Sequence, residues 1–228
     1  MSFFSIFQII ASVALLALSV VLHELAHGWV AYKLGDPTAK QAGRLTLNPL
    51  KHIDPFGTVI LPLMMFIAGG FAFGFAKPVP YNPRYFKNIR KGELLVGLSG
   101  PFSNLLQACV GAVLFKLLIA ASSHLDLKLS TGLSFELVPL IAYLLMWYVH
   151  INLVLMFFNL IPLPPLDGSA IIAPFLSDKA LEKYYRIQQY SLPILLLVFF
   201  VVPYVTNWSP LSVYFQYTAR PLFNLLVG

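Results

Sequence analysis

His23-Glu24-Leu25-Ala26-His27 holds the side chains most able to do chemistry together. On a helix, residues four apart lie about 40° from one another around the axis, so both imidazoles reach one metal ion while the glutamate projects beside them. A zinc hydrolase needs that arrangement. Protein ligands hold the ion, a further position is kept for water, and the ion lowers the pKa of that water towards neutrality. The glutamate takes up the proton as the water attacks a carbonyl. His52 and His150 are read as structural hydrogen-bonders, and the lone Cys109, inside an apolar segment, as packing. A single cysteine excludes an intramolecular disulfide and a cysteine-based zinc finger.

The motif sits inside an apolar run over residues 3–34. One ionisable group at the centre of a lipid-facing helix costs roughly 2.5–3.5 kcal/mol on insertion scales. Two histidines and a glutamate there call for partners. Hydrophobic residues make up 58% of the 228 and charged ones 11%, against about 45–50% and 25% in soluble domains. The chain is therefore read as an all-α polytopic membrane protein, a helical bundle forming a single membrane-embedded domain over residues 1–228. The net charge of +6 is spread over short loops beside apolar runs, which points to membrane topology and away from nucleic acid. The N-terminus lacks the basic region and cleavage site of a signal peptide, so the first helix is expected to be retained.

The pattern predicts helices at about 4–34, 93–121, 137–160 and 191–205, with no path legible for the tail 206–228. The first stops at Gly35-Asp36-Pro37. Lys33, Lys40, Arg44 and Lys51 follow the motif and nothing basic precedes it, so the N-terminus is expected outside and the histidines towards the cytosolic side. Beyond Asp54-Pro55, an apolar stretch broken by Pro62, Gly69-Gly70 and Gly74 has basic flanks on both sides. It is predicted to be re-entrant: a short helix over 56–68, then an extended return, Gly70 to Phe75. Non-helical backbone at membrane depth needs protein or a wet cavity beside it, which would put the return near the metal. The segment Gly70 to Pro80 is expected to offer a strand edge to an extended substrate. The helix over 137–160 carries Asn152 and Asn159 and breaks at Pro162, Pro164 and Pro165, which leaves Asp167 on extended backbone at the cytosolic end. That is the depth of His23 and His27, so Asp167 is the candidate third ligand. Asn104, after Gly100-Pro101, either orients substrate or bonds across helices.

Adding Gly100-Pro101-Phe102-Ser103-Asn104 and Asn159-x-x-Pro162-x-Pro164-x-Leu166-Asp167-Gly168 to the histidine motif, the chain resembles the site-2 protease family of intramembrane zinc metalloproteases over roughly residues 16–173. The resemblance implies one zinc ion on His23, His27 and Asp167, Glu24 as general base, and Asn159 near the site. It implies cleavage of transmembrane segments of other membrane proteins, in a plasma membrane of the bacterial type. Gly43-Arg44-Leu45-Thr46-Leu47-Asn48-Pro49 with Lys51-His52-Ile53-Asp54-Pro55 resembles a compact branch without a PDZ domain. The partners implied are a transmembrane protein substrate and the lipid bilayer; oligomeric state is not legible. The competing reading is a metal-binding membrane transporter, or a non-catalytic membrane binding protein, using the same ligands. A transporter would spread ligands along a path or between related halves, whereas here they converge at one depth.

Overall fold

The computed structural model describes residues 3–52, 54, 77–124 and 133–228. The expected re-entrant helix 56–68 and its return, Gly70 to Phe75, lie outside them. Among the described residues the regular structure is helical and three helices are long and apolar enough to cross a membrane.

Helix α1 (Phe3–Lys33) includes a candidate span of 29 residues, Ser5–Lys33. At about 1.5 Å per residue this exceeds the ~30 Å of a hydrocarbon core, so one end stands at or beyond the headgroups. Its stop is a Schellman turn: Asp36 N–H donates to Ala31 O (3.0 Å) and Gly35 N–H to Tyr32 O (3.1 Å), with Gly35 at φ +103°. Pro37 follows and one further turn, α2 (Thr38–Gln41), begins. The Asp36 carboxylate is wholly buried and ties this corner together, accepting from the Thr38 N–H and hydroxyl on one oxygen and from Asn82 N–H (2.6 Å) on the other.

Helices α3 (Ile89–His124) and α4 (Leu133–Asn159) are the other two spans. Each begins before the apolar pattern does. For α3 the reason is a cap: Asn88 Oδ1 accepts from Lys91 N–H at 3.0 Å, so the helix starts in polar sequence, at Ile89 and not near 93. Ala108 and Ala112 of α3 and Val149 and Leu153 of α4 are buried against one another. Small side chains on one helix let the other approach closely, as packing within lipid favours.

After α4, a proline-broken turn leads into α5 (Asp167–Ile172). The next helix begins earlier than the expected 191–205: α6 (Asp178–Leu196) starts in polar sequence, capped by the Ser177 hydroxyl accepting from Ala180 N–H. It runs through a π-helical segment, Leu197–Val201, into α7 (Val202–Thr206). Its polar residues are a helix face, with Arg186 reaching back one turn to Glu182. The tail also has a path: α8 (Pro210–Tyr217) and α9 (Ala219–Val227) fold back, with Ala219 buried in the α3–α4 cluster and Leu222, Phe223 and Leu226 packed against it. Tyr214 hydroxyl donates to Phe157 O at 2.9 Å and pins the return.

Candidate metal centre

Three elements meet at one point. His23 and His27 come from consecutive turns of α1 and are both buried, and Asp167 is the first residue of α5. His23 Nε2 lies 3.1 Å from His27 Nε2 and 3.1 Å from Asp167 Oδ2; His27 Nε2 lies 3.3 Å from Asp167 Oδ1. Among the described residues these three form the group of His, Cys, Asp and Glu side chains placed to share a metal ion.

The outer nitrogens decide what the inner ones present. His27 Nδ1 is 2.7 Å from the Val96 carbonyl of α3, an acceptor only, so Nδ1 carries the proton and Nε2 a lone pair. His23 Nδ1 is 2.5 Å from Asn104 Oδ1. The orientation of the Asn104 amide follows from a relay: Asn104 Nδ2 donates to Asn152 Oδ1 (2.9 Å), Asn152 Nδ2 donates to Ser19 Oγ (2.9 Å) and Tyr148 O (2.9 Å), and Ser19 Oγ donates to Leu15 O (2.9 Å). Every link has one donor and one acceptor, and the direction assigns the His23 proton to Nδ1 as well.

Two lone pairs and a carboxylate thus face each other in a buried space. Asp167 Oδ2 is buried with no hydrogen-bond partner. Such a group of acceptors is unfavourable without a positive charge between them. Ligand atoms around a tetrahedral zinc with bonds of about 2.0–2.1 Å stand about 3.3 Å apart; the two Nε2 atoms are 3.1 Å apart, each has a different Asp167 oxygen at 3.1 or 3.3 Å, and one ligand atom from each residue lies within 4.8 Å of the others. Hydrogen-bonded outer nitrogens are also what metal-binding histidines require. The residues therefore fit a divalent zinc ion.

Two glycines make room. A Cβ on Gly100 of α3 would run into His27 Nε2 and into His23 Cε1 and Nε2, so this turn packs its bare backbone on the imidazoles. At Gly168 a Cβ would collide with the carbonyl oxygens of Leu160 and Ile161, which binds the start of α5 to the end of α4 and holds Asp167 inward. Pro164 is fully buried, and the Tyr184 hydroxyl of α6 donates to Pro162 O at 2.9 Å, so the turn before Asp167 is held from outside too.

Glu24, partly buried, accepts the Val79 N–H on Oε2 at 2.9 Å. The other candidates are placed differently. Asn104 spends its amide on His23 and Asn152, the cross-helix role. Asn159 donates within its own helix to Leu155 O (3.0 Å), and none of the hydrogen bonds of His23, His27 or Asp167 involves it. His52 Nε2 bonds to Thr46 O and His150 stands edge-on to Phe223, both outside the cluster. Ser19 was not singled out in the sequence, and Asn152 was named without a role. Their signal was a polar residue within an apolar span, a default functional pointer in membrane helices. The strand edge expected up to Pro80 fails over its described part: Lys77 N–H goes to His52 O (2.9 Å), Val79 N–H to Glu24, and Pro78 and Pro80 have none. A cleft of about 380 Å³ between α1 and α4, lined by Gln8, Ser12, Tyr143 and Trp147 among others, lies on the half of α1 away from this chemistry.

Sequence comparisons point to one family. The model of Peptidase family M50 matches residues 11–202. The chain is 44% identical over 188 residues, 82% of its length and 78% of the relative's, to the "Putative zinc metalloprotease YwhC" of Bacillus subtilis. It is 26% identical over 211 residues, 92% of its length and 74% of the relative's, to the "Putative zinc metalloprotease Rip2" of Mycolicibacterium smegmatis. The Rip2 of Mycobacterium tuberculosis is 28% identical over 190 residues, 83% of this chain and 66% of that one. No solved structure gives a significant match to the chain.

Proposed function

This chain belongs to peptidase family M50, and on that premise we propose that it is a zinc-dependent endopeptidase working within the membrane, cutting peptide bonds in or near transmembrane segments of other membrane proteins. The convergence of His23, His27 and Asp167, with their facing atoms 3.1 to 3.3 Å apart, carries the reading. His23 and His27 would hold one zinc ion through Nε2 and Asp167 through its carboxylate. When bound there, the ion supplies Lewis acidity and brings the pKa of water towards neutrality.

The remaining steps fall to the chain's own groups. Asn104 and the Val96 carbonyl keep each imidazole in the tautomer that points a lone pair inward. Glu24 takes the proton of the attacking water on Oε1, since Oε2 is engaged by Val79. Water oxygen then bonds to the peptide carbonyl carbon, the carbon–nitrogen bond breaks, and Glu24 passes its proton to the departing amine. The tight packing of Gly100 on the imidazoles keeps bulk water from that side.

The basic residues Lys33, Lys40, Arg44 and Lys51 beside the His27 end of α1 support a site towards the cytosolic face and an N-terminus outside, and the bacterial relatives support residence in a plasma membrane of the bacterial type. In this reading residues 1–228 act as one membrane-embedded unit, consistent with α9 packing on α3 and α4. The test measures bound metal and cleavage of a model transmembrane substrate by the wild type and Glu24→Gln. Zinc at about one per chain in both, with hydrolysis lost only in the variant, is the expected result. A variant that cleaves like the wild type, or cleavage indifferent to a chelator, overturns it.

A further inference from the structure

The segment Lys77-Pro78-Val79-Pro80 crosses beside Glu24 like a strap, and the proposed reaction accounts for only one of its contacts. Val79 N–H holds Glu24 Oε2. The carbonyls of Lys77 and Pro78 accept from Arg44 Nη2 at 2.6 and 3.4 Å, the first a short charge-assisted bond. Arg44 is only 6% exposed, its Nε has no hydrogen-bond partner, and among the described residues no carboxylate forms an ion pair with it. Burying a cation without a counter-charge costs several kcal/mol. What the fold gains there is a fixed pair of carbonyls next to Val79.

The rest of the segment's surroundings serve the same end. Lys77 N–H donates to the carbonyl of His52, a buried residue held in turn by Nε2 on Thr46 O. Asn82 N–H is clamped by the buried Asp36 at the far end. The Val79 side chain is 5% exposed and packs on Gly28, one turn of α1 beyond Glu24, where a Cβ would meet both Val79 and Leu45. Pro78 and Pro80 remove the neighbouring donors, so the Val79 N–H stands alone. The Gly43-to-His52 motif is thereby explained as a clamp.

We infer that Arg44 is a positioning residue for the general base: it locks the Lys77–Pro80 strap so that the Val79 N–H anchors one oxygen of Glu24 and leaves the other to carry the proton. A free glutamate side chain is among the more mobile, and ordering it costs conformational entropy. Displacing a reacting group by about 1 Å costs on the order of 10²-fold in rate. The inference rests on the reading of Glu24 as proton acceptor.

The full-length chain is loaded with zinc and assayed as Arg44→Ala, Arg44→Lys and Val79→Pro, and amide hydrogen exchange at Val79 is followed in wild type, Glu24→Gln and Glu24→Ala. Arg44→Ala and Val79→Pro are expected to keep bound zinc and KM within about twofold while kcat falls about 10²-fold, and Arg44→Lys, which keeps a charged donor, to recover part of the loss. The Val79 amide should be protected in wild type and Glu24→Gln, where an oxygen acceptor persists, and released in Glu24→Ala. Wild-type kcat in both Arg44→Ala and Val79→Pro, or equal Val79 exchange in wild type and Glu24→Ala, overturns the inference. Should Arg44→Ala fail to fold, Arg44→Lys decides: faster exchange at Val79 with a lowered kcat is expected, and wild-type exchange and kcat overturn the inference. Hydrolysis surviving in Glu24→Gln would instead sink the proposed function, whatever the exchange shows.

Discussion

Asn104 does more at the centre than its lack of charge suggests. Its oxygen sets the tautomer of His23 and its nitrogen passes the constraint to Asn152 and Ser19, so one amide links the metal site to a buried polar ladder between α1, α3 and α4. Asn104→Ala is expected to weaken zinc binding by about 10 to 100-fold, as loss of an outer hydrogen bond to a ligand does, while Ser19→Ala, three links away, changes it far less. Competition with a graded series of chelators measures both. His23, His27 and Glu24 were legible because a helix converts sequence spacing directly into a shared face. Asn104 was legible only as a choice between two roles, because which neighbour an amide meets is a property of helix packing. Ser19 was overlooked and Asn152 was left without a role for the same reason: each is an isolated polar residue until the helices bring them within 2.9 Å.

Among the elements, α5 is short and yet decides where Asp167 points. Its start is bound to the end of α4 through the bare backbone of Gly168. Gly168→Ala must push two carbonyls aside, and backbone does not yield as a side chain does. The expected cost is about 1–3 kcal/mol, seen as a lower thermal midpoint together with reduced zinc content, because the same shift moves the carboxylate. An unchanged midpoint and metal content would show that the α4–α5 turn is looser than described. The proline-broken turn could be read in the sequence, since three prolines cannot continue a helix. The amphipathic first half of α6 could not, because alternating Lys, Glu and Arg reads equally as a loop or a solvated helix face. The folding-back of α8 and α9 was equally hidden: Ala219 packs against residues more than sixty positions away in the chain.

For the molecule as a whole, the charge distribution gives an orientation that can be checked apart from the chemistry. In a Cys109→Ala background, a cysteine at Lys87 is expected to react with a membrane-impermeant thiol reagent only from the cytosolic side, and one at Ser122, at the opposite end of α3, only from outside. Reversed labelling would invert the proposed topology and leave the metal centre intact. Chelation of the purified protein should abolish cleavage, and added zinc restore it, with the helices retained by circular dichroism, since the three spans are held by helix packing.

By itself the sequence determined that the chain is helical, with stretches apolar enough to cross a membrane, and that its first helix carries two histidines spaced to share a metal ion with a glutamate beside them, because hydropathy and helical periodicity are local quantities. Only the tertiary structure decided that Asp167 closes the site at 3.1 and 3.3 Å, that Asn104 serves His23, and that an arginine-held strap grips Glu24. Those are contacts between segments tens of residues apart, and their distances are set by how bare backbone at Gly100 and Gly168 lets three elements approach.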